Sequence, residues 1–281
     1  MNYRALVIGA EISGMQAALD IADSGFEAVL VEKEPVIGGH MAQLSETFPT
    51  LDCSQCMVTP CTVAVGQHPN IQALALSEVV DVERIAGPTG EHDGGGAVLS
   101  KRGGDGFRVR IKRYPRYVNE DRCMTCGDCA EACPIVVANE CDHGLAARCA
   151  IHLRSSQPVP GVYRLDPEAC LGPFPLACGR CPEACGVGAI DCDVQPETRE
   201  MDVGAIVVAT GHELCEDKAV AAYEYKSHPN VMDGLEFERM PSAFQAAWAR
   251  DRRRKATNLL LSDDELGATE AEALVAATEA A

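Results

Sequence analysis

Residues 123–134 read CMTCGDCAEACP, four cysteines in twelve residues with a proline directly after the fourth. The spacing is C-x2-C-x2-C-x3-C-P. A loop of this kind wraps three thiolates around one face of an iron–sulfur cubane and sends the fourth, from a helix start, to a second cluster. Cys123, Cys126 and Cys129 must therefore surround one small object, while Cys133 reaches toward another. Cysteine zinc sites use two separated pairs instead.

A second set follows at Cys170, Cys178, Cys181 and Cys185. Its C-x2-C-x3-C core is right, but seven residues separate the first two cysteines where the compact motif has two. A loop can lengthen and still deliver its thiolate, because closure costs grow slowly with length. The expectation is two [4Fe–4S] clusters with crossed ligation. Cys123, Cys126, Cys129 and Cys185 hold one; Cys170, Cys178, Cys181 and Cys133 hold the other. The competing reading leaves Cys170 as a buried free thiol beside a three-cysteine site. Cys141, Cys149, Cys192 and Cys215 have no motif spacing and read as small core residues. Cys53, Cys56 and Cys61 could ligate a further cluster with a partner cysteine, form a redox pair, or simply pack.

Fifteen cysteines in 281 residues could also signal a disulfide framework. The opening MNYRALVIGA, however, enters a strand with no basic segment, apolar stretch and cleavage site. Metal or redox chemistry and a cytoplasmic location are then expected. No apolar run approaches the roughly 20 residues of a membrane span, which leaves docking on a membrane complex as the only membrane role. The net charge of −18 argues against nucleic acid and suits basic protein patches, or simply a solvated acidic surface.

The N-terminal segment has a different pattern. Residues 4–9 read as a buried strand, 12–24 as a helix with Gly25 behind it, and 27–32 as a second strand, so a βαβ unit opens the chain. Strand, glycine turn, helix and a terminal acidic residue make a dinucleotide fingerprint. Gly9 makes the tight turn, Gly14 allows helix–strand packing, and Glu32 is placed to accept from a ribose hydroxyl. The middle glycine, where backbone must approach the pyrophosphate, is Glu11. Residues 70–84 and 107–113 alternate like strands around a Gly-rich loop at 87–106, and 201–211 returns to a buried strand with a Gly turn. From Pro241 the chain reads as helix, with Ser242 as a cap and Phe244 and Trp248 one turn apart. Ser262/Glu265 and Thr269/Glu272 match capping-box spacing in this tail.

The stretches VEKEPVIGGHMAQLSETFPTLDCSQC, RYV before the first cysteine set, VVATG and HPNVMDGLEFERM together resemble the A-type subunit of CoB–CoM heterodisulfide reductase. The flavin subunit of the quinone-interacting oxidoreductase of sulfate reducers looks similar. The resemblance runs from about residue 3 to residue 240. It implies FAD on a thioredoxin-reductase-like fold with two ferredoxin clusters inserted in it. By that resemblance Gly9, Gly14, Glu32, Lys33, Gly38, Gly39 and Met41 line the FAD site, and Thr210 and Gly211 close it, with Glu11 inside it. The sequence departs from the family at Glu11 and at Cys61, where a lysine is more usual. The family's second nucleotide-type lobe is replaced by a short helical tail, so the chain resembles the first half of such a subunit.

The expected fold class is α/β: an incomplete Rossmann-like FAD-binding domain, an inserted two-cluster ferredoxin-like α+β domain, and a helical tail. The expected boundaries are 1–113 and 199–245 for the flavin domain, 114–198 for the insertion and 246–281 for the tail. No Ser-His-Asp, HExxH or paired-carboxylate arrangement appears, so no catalytic residue is assigned. The expected function is electron transfer between FAD and two clusters in a heterodisulfide-reductase-like complex. Its other subunits, or a hydrogenase or ferredoxin donor, would be the partners. The rivals are a flavin-free ferredoxin-type carrier and a docking fragment on a vestigial scaffold.

Overall fold

The computed structural model describes residues 4–47, 50–85, 106–155, 157–172, 177–213, 223–225, 227–228 and 230–240. The tail from Pro241, most of the Gly-rich loop and Cys215 lie outside the described residues. In chain order the elements are β1 (Arg4–Ile8), α1 (Ile12–Asp23), β2 (Glu27–Val31), β3 (Glu46–Thr47), β4 (Asp52–Cys53), α2 (Ser54–Gln67), β5 (Ile71–Leu74), β6 (Ser77–Ile85) and β7 (Gly106–Arg113). They continue with α3 (Asp128–Glu131), β8 (Val136–Ala138), β9 (Ala147–Cys149), β10 (Ile151–His152), β11 (Arg164–Leu165), α4 (Arg180–Ala184), β12 (Glu197–Val203) and β13 (Ala205–Val208). The chain divides into two compact units, residues 1–137 with 148–215 and residues 138–147 with 216–281.

In the first unit a parallel sheet runs in the order β13-β1-β2-β5. Side chains alternate across it, as a period of two demands. Val7, Ala28 and Leu30 face α1 and α2 in one core. Leu6, Val29 and Val31 face the other way, onto Val109, Ile111 and Val203 of an antiparallel sheet ordered β12-β7-β6. Helices, parallel sheet and antiparallel sheet thus form layers, and each fully buried Leu or Val contributes roughly 1.5–3 kcal/mol. α1 ends as expected, with Gly25 at φ +85° taking the left-handed position behind Ser24.

Two strand expectations change. Residues 70–84 are not one strand: Leu76, at φ +53°, turns the chain from the parallel sheet into the antiparallel one. The 201–211 segment does not return as a buried strand. Residues 197–203 pair with β7, and β13 is an edge strand whose Val208 is 69% exposed. Its outer side has no neighbour to bury it among the described residues.

In the second unit a reciprocal capping box opens a helix at residue 234. The Asp233 carboxylate accepts from Glu236 N–H at 2.7 Å, and Glu236 accepts from Asp233 N–H at 2.9 Å. Further along, Arg239 donates to Asp142 at 2.6 Å.

Candidate functional site

Both ends of the cysteine-rich insertion are tied together by an antiparallel bridge, Val118 to Ile190. Asn119 N–H donates to Ala189 O at 2.7 Å and Asp191 N–H to Tyr117 O at 2.9 Å. Between these ends lies a small core of Val118, Ile151, Val162 and Leu165. Cys129 and Cys192 are buried in it, and Cys123, Cys133, Cys170, Cys181 and Cys185 pack against it. The two cysteine sets share one local device. Gly127 (φ +98°) follows Cys126 and starts α3; Gly179 (φ +72°) follows Cys178 and starts α4. A left-handed glycine at each place reverses the chain, so that Cys129 and Cys181 fall in the first turn of a short helix. α3 packs on α4.

The thiols interleave. Burial, followed by the neighbouring Cys123, pushes the Cys129 thiol up to about 11, and Cys126 and Cys185 add to it. Burial, followed by Cys192, Cys170 and Cys133, pushes the Cys181 thiol up to about 12. Cys185 is a charge neighbour of Cys129, and Cys133 lines the same cavity as Cys170, Cys178 and Cys181. Tyr163 stands over the first set, its hydroxyl oxygen 3.5 Å from where a Cβ on Gly127 would lie. Cys170, Cys178 and Cys181 of the second set line a small cavity of about 20 Å³ together with Cys133, Cys192 and Leu165 among others.

Among the described residues, no three cysteine sulfurs lie within 4.8 Å of one another. A zinc tetrahedron with Zn–S near 2.3 Å would hold them about 3.8 Å apart. The C-x2-C-x2-C-x3-C-P run and the core shared by the two sets suit a cluster better than one ion. Thiols kept protonated by burial must release protons as iron binds.

At the nucleotide fingerprint, Gly9 (φ +96°) turns the chain after β1, and a Cβ on it would lie 2.2 Å from Ala209 O. A Cβ on Gly14 would lie 1.9 Å from Gly9 O, so α1 meets the strand end at backbone contact. Glu32 is buried, accepting from Ala10 N–H at 2.8 Å and Glu34 N–H at 2.9 Å. Burial raises its carboxyl above the ordinary value despite those two donors. Lone pairs remain on it for a ribose hydroxyl. Lys33, Thr210 and Gly211 are exposed, and Met41 packs on the first core.

Glu11 is the exception. Its side chain folds inward, and Oε1 accepts from His40 N–H at 2.9 Å and Met41 N–H at 3.3 Å. Left-handed Gly38 and Gly39 present that turn. A Cβ on Gly39 would meet Glu11 Cδ at 2.8 Å, and one on Gly211 would meet Oε2 at 2.5 Å. The carboxylate fills the space between the two turns, with the His40 and His212 rings beside it at 4.8 Å from each other. The turn and the ribose acceptor fit a dinucleotide. The pyrophosphate position does not, because a carboxylate already holds it.

Cys53, Cys56 and Cys61 do not converge. Cys53 caps α2, its sulfur accepting from Cys56 N–H at 3.3 Å, and both thiols are exposed. The Cys56 thiol, followed by its N–H, holds the Cys53 thiol below the ordinary value, and the same pairing raises that of Cys56. Cys61 lies five residues further along the helix, about 140° round it, and packs on the first core.

Residues 7–74 match the NAD(P)-binding Rossmann-like domain and residues 116–137 the 4Fe-4S binding domain. The chain is 40% identical over 243 residues to the A-type subunit of the H(2):CoB-CoM heterodisulfide,ferredoxin reductase of Methanothermobacter marburgensis, covering 86% of this chain and 33% of that protein. It is 47% identical over 240 residues to an A-type iron-sulfur subunit of the CoB--CoM heterodisulfide reductase of Methanopyrus kandleri, covering 85% and 33%. Over this stretch the chain is similar to the A-type subunits of heterodisulfide reductases. It spans about a third of the length of these relatives, rather than the half expected from sequence.

Within this segment, the Rossmann-like match covers the turn, Glu11 and Glu32, and the 4Fe-4S match covers the first cysteine set. The second set lies beyond both. Sequence reasoning missed two residues here. Tyr163 carries no motif. Cys192 reads from sequence as plain core, and it is buried, yet it opens onto the cavity of the second set.

Proposed function

We propose that this chain is an electron-transfer subunit of a heterodisulfide-reductase-like complex, carrying single electrons through two [4Fe–4S] clusters. The carrying observation is the interleaving of the two cysteine sets on one core. Cys123, Cys126, Cys129 and Cys185 hold one cluster; Cys170, Cys178, Cys181 and Cys133 hold the other. Cys129 is buried on that core and Cys123, Cys133, Cys170, Cys181 and Cys185 are half-buried against it, an environment that tunes the potentials. Relatives are named for H(2), ferredoxin and CoB-CoM heterodisulfide. Those names support a hydrogenase-type or ferredoxin donor and the complex's other subunits as partners. No helix among the described residues is long and apolar enough to cross a membrane, so partners are met through the exposed surface, which in this acidic chain favours basic patches.

FAD remains the second reading, supported by Gly9, Gly14 and Glu32. Glu11 keeps its binding weak, and no electron-transfer step here depends on it. Titrating anaerobically prepared protein with a reductant, followed by EPR, tests the proposal. About two electrons per chain, one per cubane, are expected. Uptake of none, or a protein with no reducible paramagnetic centre, overturns it.

A further inference from the structure

A cubane takes four thiolates, one for each iron. The cavity of the second set offers five: Cys133, Cys170, Cys178, Cys181 and Cys192 all line it. Cys178 and Cys181 are fixed by the glycine turn at Gly179 and by α4. Cys133 follows α3 and its thiol lies over Ile135 O. The remaining two compete for one place. Cys192 and Cys170 are electrostatic neighbours of each other, and both neighbour Cys181.

They reach that place by different routes. Cys170 is separated from Cys178 by a seven-residue loop, with its N–H on Asp166 O at 3.0 Å. Cys192 follows the bridge at Ile190 and is held on both sides: Asp191 N–H donates to Tyr117 O, and Asp193 N–H to the Asp191 carboxylate at 2.9 Å. Cys192 is 8% exposed.

We propose that Cys192 is a fifth thiolate donor of the second cluster and that Cys170 and Cys192 are interchangeable ligands to the same iron. Exchange breaks one Fe–S(thiolate) bond and forms another. The incoming thiol gives up its proton and the outgoing thiolate takes one, so cluster charge and electron count are unchanged. A ligand pair of this kind lets the cluster survive loss or oxidation of either thiol.

The inference rests on the two-cluster reading, and one experiment separates the two. Wild type, Cys170→Ser, Cys192→Ser and the double variant are prepared anaerobically, then assayed for iron, labile sulfide and the EPR of the reduced protein. Wild type near eight irons supports the two-cluster reading, and wild type near four overturns that reading itself. With eight in the wild type, each single variant should keep about eight and the double variant should fall to about four. The Cys170→Ser signal should also shift, reporting the changed ligand. If either single variant loses as much iron as the double, or the double loses none, interchange is wrong. The first cluster's EPR signal, retained in all four proteins, shows that each variant has folded.

Discussion

The Glu11 carboxylate accepts the backbone N–H of His40 at 2.9 Å, across a turn that a dinucleotide-binding chain would offer to a pyrophosphate. An internal anion thus holds the place of an external one. At an effective dielectric near 20, a phosphate charge about 6 Å from that carboxylate costs roughly 3 kcal/mol, and screening by salt reduces the figure. Even about 1.4 kcal/mol is a tenfold loss of affinity.

Glu11→Gly should therefore tighten FAD binding by about tenfold or more. Glu11→Gln, which keeps the bulk and removes the charge, should recover part of that gain. Fluorescence titration of the three proteins with FAD measures it. Equal affinity in all three would mean that Glu11 leaves the cradle without cost.

Cys133 belongs by sequence to the first set and by position to the second, where it neighbours Cys181. Cys133→Ser should alter the EPR signal of the cluster held by Cys170, Cys178 and Cys181 and spare its neighbour. A change confined to the cluster of Cys123, Cys126 and Cys129 would overturn crossed ligation.

Arg148 Nη2 donates to the Asp166 carboxylate at 2.6 Å, with both side chains largely buried. Burial alone would raise the Asp166 carboxyl. The Arg148 hydrogen bond, the Glu168 N–H and the charges of Arg148 and Arg164 outweigh it and hold the group below the ordinary value. A depressed folded value stabilises the protein fully above the unfolded value, about 3.9. That stability is lost as pH falls through the folded value. Arg148→Ala should cost about 3 kcal/mol at neutral pH, and acid unfolding should show less dependence on Asp166. Melting temperature against pH, wild type beside Arg148→Ala, checks both. The backbone of Asp166 also holds Cys170, so the EPR signal of the second cluster should shift in the same variant.

The βαβ unit was legible because its alternation is local: Leu6 and Val7, or Val29 and Leu30, must face opposite layers wherever the strands lie. The first cysteine set was legible for the same reason, since one loop and one helix start complete it. What escaped depends on distant chain. The inward turn of Glu11 needs donors at residues 40 and 41. Cys192 reaches its cavity only because Ile190 pairs with Val118, 72 residues earlier. The 70–84 alternation runs unbroken through Leu76, where a left-handed residue, not a glycine, moves the chain between sheets. A period of two reports a strand and is silent about which sheet takes it.

The central claim is that two interleaved cysteine sets hold two cubanes, and the metal content of the anaerobically purified chain tests it most directly. The account predicts about eight irons and eight labile sulfides per chain with no stoichiometric zinc. Stoichiometric zinc without labile sulfide, or iron that stops at about four, would contradict it.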